Sequence, residues 1–349
     1  MLAGGIGSRF WPASTPARPK PLLALASDRP LIRDTVERAR RLAPDDRVAI
    51  LTGAHLAAPI LEALPSFDPE QVWIEPEARG TGPVLAWAAH RMHRVDPEAV
   101  LVSLHADHRI DPESAFSRLI PRAVALARQE DLLLTIAVPP DRPETGYGYI
   151  RTGNTLVSDE GLEAWRVDAF IEKPERTVAE SYLRRGYLWN SGIFVLPVSR
   201  FLEEIRTHAP ELGRHLALLD RREDEAFFEA APRTSVDEAV MERSGRVGAV
   251  RATFEWDDVG SWEALARSRT PDEAGNRLEG QVYAHQARNS IAWAEDGPVV
   301  LFDVENLVVV RSNGVTLVTS RRRAPDLKDL LGGLPAWLRE GRPDPSEAS

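Results

Sequence analysis

Short apolar runs alternate with amphipathic stretches along the first 271 residues of the chain. Four of these runs have the length and composition of buried strands, and they lie at residues 48–52, 72–74, 100–104 and 132–138. Apolar positions recur with helical spacing between them, at residues 31–42, 83–95 and 115–129. The alternation predicts an α/β domain with a Rossmann-like fold: a mixed, mostly parallel sheet with helices on both faces. Ligands of such sheets bind at the carboxyl ends of the strands.

The pattern changes after residue 271. Short strand-like runs follow one another at regular spacing, with glycine or asparagine in most connections, at residues 282–284, 290–293, 299–302, 307–310 and 315–319. We therefore predict a small β-helix-like domain over residues 272–333 that ends in a helix at 325–331. No low-complexity linker separates the two units, so we expect the second to dock on the first. Residues 334–349 are expected to form a polar tail with a frayed end.

Composition narrows the class of protein. The 349 residues are 43% hydrophobic and 28% charged, as in ordinary soluble proteins. A net charge of -10 argues against nucleic-acid and membrane partners. The chain has no cysteine, which excludes disulfides, thiolate catalysis and cysteine-ligated zinc. Because no apolar run approaches about 20 residues, we expect a cytoplasmic protein.

The N-terminal segment is a candidate phosphate-binding loop. Its small residues are Gly4, Gly5, Gly7 and Ser8. Glycines let backbone N–H groups approach phosphate oxygens, and the nearby Arg9 and Lys20 can neutralise the charge of a triphosphate. The loop lacks the Gly-Lys-Ser/Thr ending of a Walker A motif, and Phe10 replaces the third glycine of the dinucleotide fingerprint. Taken alone, the loop is equally compatible with an ordinary turn at the end of a strand.

Only three residues precede Gly4, which is fewer than the roughly 5–6 residues of a typical strand. We therefore expect either a natural start further upstream or an unusually short first strand.

The order Gly-Gly-x-Gly-x-Arg-Phe-Trp-Pro, followed by Pro19-Lys20, resembles the signature of the sugar-phosphate nucleotidyltransferases. The Trp11-Pro12 pair resembles their mannose-1-phosphate guanylyltransferase branch. Further matching segments follow in family order to residue 262, and the β unit extends the resemblance to about residue 331. The resemblance implies Mg²⁺-dependent transfer of GMP from GTP to mannose 1-phosphate, which gives GDP-mannose and pyrophosphate. It also implies Arg9, Lys20 and Asp107 as catalytic residues, while a homodimer is left open.

The segment from Glu75 to Pro83 joins a predicted strand to a predicted helix. Read alone, it is a loop with a threonine cap; the functional interpretation is a cradle for the base and the phosphates at the start of a helix. It resembles the family stretch Glu-Pro-x-x-Arg-Asn-Thr-Ala-Pro, with Gly80 in place of the asparagine. Besides the N-terminal loop and Arg9, the nucleotide-binding residues implied are Glu75, Arg79, Gly80 and Thr81.

A carboxylate at the end of the 100–104 strand, Asp107, is well placed to hold Mg²⁺ against a triphosphate. The resemblance implies Asp258, in Trp-Asp-Asp-Val-Gly, as the second metal ligand, with Asp257 facing away because strand neighbours alternate. A zinc site at His105, Asp107 and His108 is an alternative. We disfavour it because the spacing places the three side chains on alternating sides of a strand or in a turn.

Five residues are implied in binding the sugar phosphate: Gly146, Glu172, Lys173, Asn190 and Asp237. Glu172 can accept hydrogen bonds from two sugar hydroxyls, Lys173 can bind the phosphate, and Asn190 offers both a donor and an acceptor. For Asp237 the competing interpretation is purely structural, because Ser235 and Glu238 have the spacing of a capping box.

Two other functions remain open. One is nucleotidyl transfer to a different hexose 1-phosphate. The other is a non-catalytic regulatory subunit that binds a nucleotide sugar; this is disfavoured because a pure binder does not need both Lys20 and the pair of Asp107 and Asp258.

Overall fold

The computed structural model describes residues 1–5, 7–267 and 269–341. Its strands are β1 (Ile50–Gly53), β2 (Val72–Glu75), β3 (Val100–Ser103), β4 (Arg109–Asp111), β5 (Leu133–Val138), β6 (Tyr149–Asp159), β7 (Leu162–Ile171), β8 (Leu188–Pro197), β9 (Val247–Arg251), β10 (Glu255–Asp257), β11 (Arg277–His285), β12 (Ile291–Phe302), β13 (Leu307–Ser312) and β14 (Val315–Ser320).

Its α-helices are α1 (Leu31–Arg40), α2 (Ala54–Ala63), α3 (Thr81–Val95), α4 (Glu113–Glu130), α5 (Arg176–Arg184), α6 (Val198–His208), α7 (Pro210–Gly213), α8 (Leu216–Asp220), α9 (Asp224–Ala230), α10 (Trp262–Arg267), α11 (Leu327–Leu331) and α12 (Ala336–Glu340). In the described part of the chain, no helix is long and apolar enough to span a membrane.

The central sheet is mixed, as the alternating pattern predicts. Leu2 forms parallel bridges with Leu51 of β1 and with His105 just beyond β3, and β1 pairs in parallel with β2. The sheet continues in the order β3-β8-β5-β9-β7-β6. There β5 and β9 are parallel, whereas β8 runs antiparallel to both β3 and β5. The first strand is thus reduced to a bridge at Leu2, and the glycine-rich loop leaves the sheet directly after it.

The four apolar runs of the first 271 residues all form strands, as β1, β2, β3 and β5, and the three amphipathic stretches form α1, α3 and α4. The long hairpin β6–β7 has no counterpart among the predicted elements. Much of it is exposed or half-buried, and the pairing of its strands shifts register at several points. Its sequence therefore lacks the continuous apolar run that marks a buried strand.

The C-terminal unit is a four-stranded sheet in the order β11-β12-β13-β14. The β11–β12 and β12–β13 pairs are parallel, as in a β-helix, and β14 closes the sheet in antiparallel fashion. The runs at 290–293 and 299–302 belong to one long strand, β12. The segment predicted as a polar tail contains α12, while residues 342–349 and their expected fraying lie outside the described residues.

The C-terminal sheet packs directly beneath the N-terminal loop. Trp293 of β12 shares one hydrophobic cluster with Phe10 and Trp262. The rings of Phe10 and Trp262 meet edge to face with centroids 5.0 Å apart. Asn313 Nδ2 donates a hydrogen bond to the carbonyl of Pro12 at 2.7 Å, and Arg18 pairs with Glu295 at 2.8 Å. The second unit therefore supports the turn that follows the glycines.

Trp262→Ala is expected to lower the free energy of unfolding by about 3–5 kcal/mol, because it empties a fully buried site between two aromatic partners. Denaturant unfolding monitored by circular dichroism measures the change. The control is Tyr283→Ala, whose ring is 64% exposed; it should change stability by less than about 0.5 kcal/mol. Equal losses in the two variants would contradict the packing described here.

Candidate active site

The glycine-rich loop is built around the side chain of Lys20. Gly7 has φ 72°, and a Cβ atom at this position would lie 2.3 Å from Cβ of Lys20. The hydroxyl of Ser14 donates to the carbonyl of Gly7 at 2.6 Å. Ser8 then begins a 3-10 turn, Ser8–Phe10. Glycine is thus required at position 7 both by the backbone conformation and by the contact with Lys20.

Lys20 is 5% exposed and links two segments that are distant in sequence. Its ammonium donates to Asp107 Oδ2 at 2.8 Å and to the backbone carbonyl of Asp258 at 2.5 Å. Burial raises the pKa of Asp107, but Lys20 and the nearby histidines outweigh it, so this pKa lies well below its usual range. Asp107 is therefore ionised at neutral pH.

Asp258 is held by two donors. Its Oδ1 accepts hydrogen bonds from the hydroxyl of Tyr147 at 2.6 Å and from the N–H of Gly260 at 3.0 Å. Burial raises the pKa of Asp258, and Lys20 opposes this effect. The neighbouring Asp257 carboxylate pairs with Arg267 at 3.1 Å and with Arg142 at 3.6 Å.

His105 and His108 flank a turn, one of the two arrangements expected from their spacing. The candidate ligand atoms of His105, Asp107 and His108 all lie within 4.8 Å of one another, because the chain turns between the two histidines. The two imidazole rings stack with centroids 4.5 Å apart. Trp256 Nε1 donates to His108 Nδ1 at 3.1 Å, which places the proton of the neutral ring on Nε2. His108 is therefore a poor metal ligand in this arrangement.

The loop between β2 and α3 is shaped by another part of the chain. A Cβ atom at Gly80, where φ is 91°, would lie 2.5 Å from the carbonyl oxygen of Thr234. The N–H of Gly82 donates to the same oxygen at 3.1 Å. Thr81 Oγ1 accepts a hydrogen bond from the N–H of Val236 at 3.0 Å. The two glycines therefore accommodate Thr234. Thr81 does not cap its own helix; its hydroxyl binds the segment that leads to Asp237, one of the residues implied in sugar binding.

Glu75 and Arg79 lie at the two ends of this loop. A Cβ atom at Gly4 would be 3.6 Å from Glu75 Oε1, so the carboxyl group of Glu75 lies beside the N-terminal loop. Burial raises the pKa of this carboxyl group. Arg79 donates to Glu77 at 2.6 Å and to the backbone carbonyl of Glu229 at 3.1 Å.

Asn190 and Asp237, two of the residues implied in sugar binding, are hydrogen-bonded to each other. Asn190 Nδ2 donates to Asp237 Oδ1 at 2.8 Å. The capping box also forms, since the N–H of Glu238 donates to Ser235 Oγ at 3.1 Å. The capping box therefore forms while the side chain of Asp237 contacts Asn190. Burial, followed by repulsion from Glu172, raises the pKa of Asp237 to about 7.

Glu172 and Lys173 lie next to these residues. The ammonium of Lys173 is 2.5 Å from Glu172 Oε1, and a Cβ atom at Gly148 would lie 2.6 Å from Glu172 Oε2. Three site residues remain, and all of them are exposed: Gly5, Arg9 and Gly146. Within the described residues Arg9 forms no ion pair.

Known proteins resemble this chain over nearly its whole length. Residues 1–274 match the family model described as nucleotidyl transferase. The mannose-1-phosphate guanylyltransferase of Escherichia coli (strain K12) is 35% identical over 345 residues, which cover 95% of this chain and 72% of that relative.

The chain belongs to the mannose-1-phosphate guanylyltransferase branch of the nucleotidyl transferase family.

Two further relatives extend the comparison. The alginate biosynthesis protein AlgA of Pseudomonas aeruginosa is 32% identical, with 97% of this chain and 72% of that protein covered. The crystal structure described as mannose-1-phosphate geranyltransferase from Thermus thermophilus has a TM-score of 0.87 and 30% identity, covering 95% of this chain and 97% of that one. The α/β fold with a C-terminal β unit is therefore that of a nucleotidyl transferase.

Sequence reasoning gave no role to two residues of this nucleotidyl transferase site. Tyr147 lies inside the Gly-Tyr-Gly-Tyr segment, yet only the structure brings its hydroxyl to Asp258. Thr135 donates to Asn190 Oδ1 at 2.7 Å from the middle of β5. The sequence could have pointed to Thr135, because its hydroxyl lies inside the apolar run at 132–138 and a buried hydroxyl needs a hydrogen-bond partner.

The titration of Asp237 predicts a pH-dependent contribution to stability. Its pKa is about 7 in the folded protein against an ordinary value of 3.8, so the folded state retains a proton that the unfolded chain releases. The contribution of this group to the free energy of unfolding is greatest at low pH and is lost as the pH rises towards 7. Between pH 5 and 7, wild type should lose on the order of 2 kcal/mol relative to Asp237→Asn, which does not titrate. Parallel stability curves in urea across this range would show that Asp237 titrates normally.

Proposed function

We propose that this nucleotidyl transferase moves GMP from GTP to α-D-mannose 1-phosphate and releases GDP-mannose and pyrophosphate. The proposal rests on one observation above all: the buried Lys20 ammonium joins Asp107 to Asp258 directly behind the glycine-rich loop. A binding protein has no need to bury a cation between two carboxylate-bearing segments. The named activity of the Escherichia coli relative supports the same assignment.

In this reaction an oxygen of the mannose phosphate attacks the α-phosphorus of GTP. The bond from that phosphorus to the oxygen bridging the β-phosphate breaks, and pyrophosphate leaves with the electron pair. Such a transfer depends on alignment and charge neutralisation rather than on a protein nucleophile. Lys20 and Arg9 supply positive charge on the triphosphate side, and Lys173 supplies it on the sugar phosphate side.

Asp107 and Asp258 fit a magnesium ion. Both present carboxylate oxygens, which Mg²⁺ prefers, and Asp107 is ionised at neutral pH because Lys20 lowers its pKa. When bound there, Mg²⁺ supplies charge neutralisation for the leaving pyrophosphate. Tyr147 holds the Asp258 carboxylate in place by its hydrogen bond, and Lys20 holds Asp107.

We also infer that the enzyme is cytoplasmic and forms a homodimer. Tyr283, Val300 and Phe302 are 64–70% exposed on neighbouring strands of the C-terminal sheet, and exposed apolar residues of this kind support self-association. Light scattering on the full chain measures the oligomer, and a monomer at micromolar concentration would refute this part.

The substrate assignment is tested by measuring pyrophosphate release with four nucleoside triphosphates, each paired with mannose, glucose and galactose 1-phosphates. GTP with mannose 1-phosphate should give the highest kcat/KM. A higher value for another pair would establish nucleotidyl transfer to a different sugar or from a different nucleotide. No release with any pair would favour a regulatory subunit.

Lys20→Ala should lower kcat by roughly 100- to 1000-fold, as expected when a donor to developing transition-state charge is lost. The matched control is Lys328→Ala, because Lys328 is exposed on α11. It should retain wild-type kinetics. Pyrophosphate release by Lys20→Ala within a few-fold of wild type would remove Lys20 from the mechanism.

Glu172→Gln should raise KM for mannose 1-phosphate by roughly 10- to 100-fold, since a hydrogen bond to a charged group contributes about 1.5–3 kcal/mol. KM for GTP should change little, because Glu172 lies with Asn190 and Asp237 on the sugar side. Steady-state kinetics with each substrate varied in turn separates the two constants. An equal rise in both would place Glu172 outside the sugar pocket.

A further inference from the structure

Thr135 is a buried polar side chain in an otherwise apolar strand. It is fully buried in the middle of β5. Its hydroxyl is 2.7 Å from Asn190 Oδ1, whereas the next acceptor, the carbonyl of Ile193, is 3.5 Å away. A threonine hydroxyl has one proton to donate, and the shorter contact takes it.

This contact determines the orientation of the Asn190 amide. Oδ1 accepts from Thr135 and also from the N–H of Gly192 at 3.2 Å. Nδ2 donates to Asp237 on the other side. If the amide were rotated by half a turn, Nδ2 would face two donors, the hydroxyl of Thr135 and the N–H of Gly192. Both donors therefore select the same orientation.

The hydrogen-bonding capacity of Asn190 is then nearly used up. A carbonyl oxygen has two lone pairs, and Thr135 and Gly192 occupy both. One of the two amide protons goes to Asp237, which leaves a single N–H for a ligand. Asn190 can donate to a sugar hydroxyl but cannot accept from one, contrary to the expectation that it offers both. Glu172 and Asp237 supply the acceptors.

We propose that Thr135 is a positioning residue that fixes Asn190 as a donor-only contact for the sugar phosphate. The inference rests on the proposed function, because the ligand of Asn190 is mannose 1-phosphate. Thr135 itself lies behind Asn190 and touches no substrate. Its effect on the reaction must pass entirely through the amide of Asn190.

Thr135→Val keeps the shape of the side chain and removes the donor. It should raise KM for mannose 1-phosphate about 10-fold while KM for GTP and kcat stay within two-fold of wild type. Thr135→Ser restores the hydroxyl and should restore KM. The matched control is Thr35→Val, which removes a fully buried hydroxyl from α1 and should leave KM for mannose 1-phosphate unchanged.

A double-mutant cycle separates positioning from general damage to the fold. In an Asn190→Ala background, Thr135→Val should raise KM for mannose 1-phosphate no further, because its effect requires the amide. Thr135→Ala gives a second donor-free variant if the valine protein fails to fold. A further rise in the Asn190→Ala background, or wild-type KM in both donor-free variants, would overturn the inference. Failure of the proposed function is distinct, since wild type itself would then release no pyrophosphate.

Discussion

The active site depends on a single buried ammonium group. Lys20 must be paired because an isolated charge in a protein interior is costly, and its partners come from distant parts of the domain. Asp107 follows β3, and Asp258 follows β10. The same side chain packs against Gly7, so a larger residue does not fit at this point of the glycine-rich loop. One cation thus links the loop, the carboxylate of Asp107 and the backbone at Asp258.

A second set of contacts joins the residues implied in nucleotide binding to those implied in sugar binding. The segment that begins at Thr234 pairs with the loop before α3 and leads directly into Asp237. Asp237 meets Asn190, and Asn190 meets Thr135 in the central sheet. The residues assigned to the nucleotide and those assigned to the sugar are therefore connected by hydrogen bonds. This arrangement leaves little freedom for one region to move alone.

The sequence predicts those parts of the fold that follow from local pattern, such as the continuous apolar run of β5 and the apolar face of α4. The family motifs supply Lys20 and Asp107, but their contact could not be derived from spacing, since 87 positions separate them. The resemblance implies Gly80 as a nucleotide-binding residue, and the atom that excludes a side chain there is the carbonyl oxygen of Thr234. The sequence predicts that Asn190 both donates and accepts hydrogen bonds to a ligand, yet its Oδ1 atom already accepts from Thr135 and Gly192. Both conclusions require partners that only the folded chain brings together.

The packing of the C-terminal sheet beneath Phe10 has a consequence for the evolution of this chain. Trp293 lies in the same cluster as the turn that follows the glycines, and Asn313 holds Pro12. An exchange of this sheet for an unrelated module would uncover aromatic surface under the glycine-rich loop. Sequence drift in β12 and β13 is therefore constrained by chemistry that takes place on the neighbouring unit. The two units are expected to be inherited and recombined as one piece.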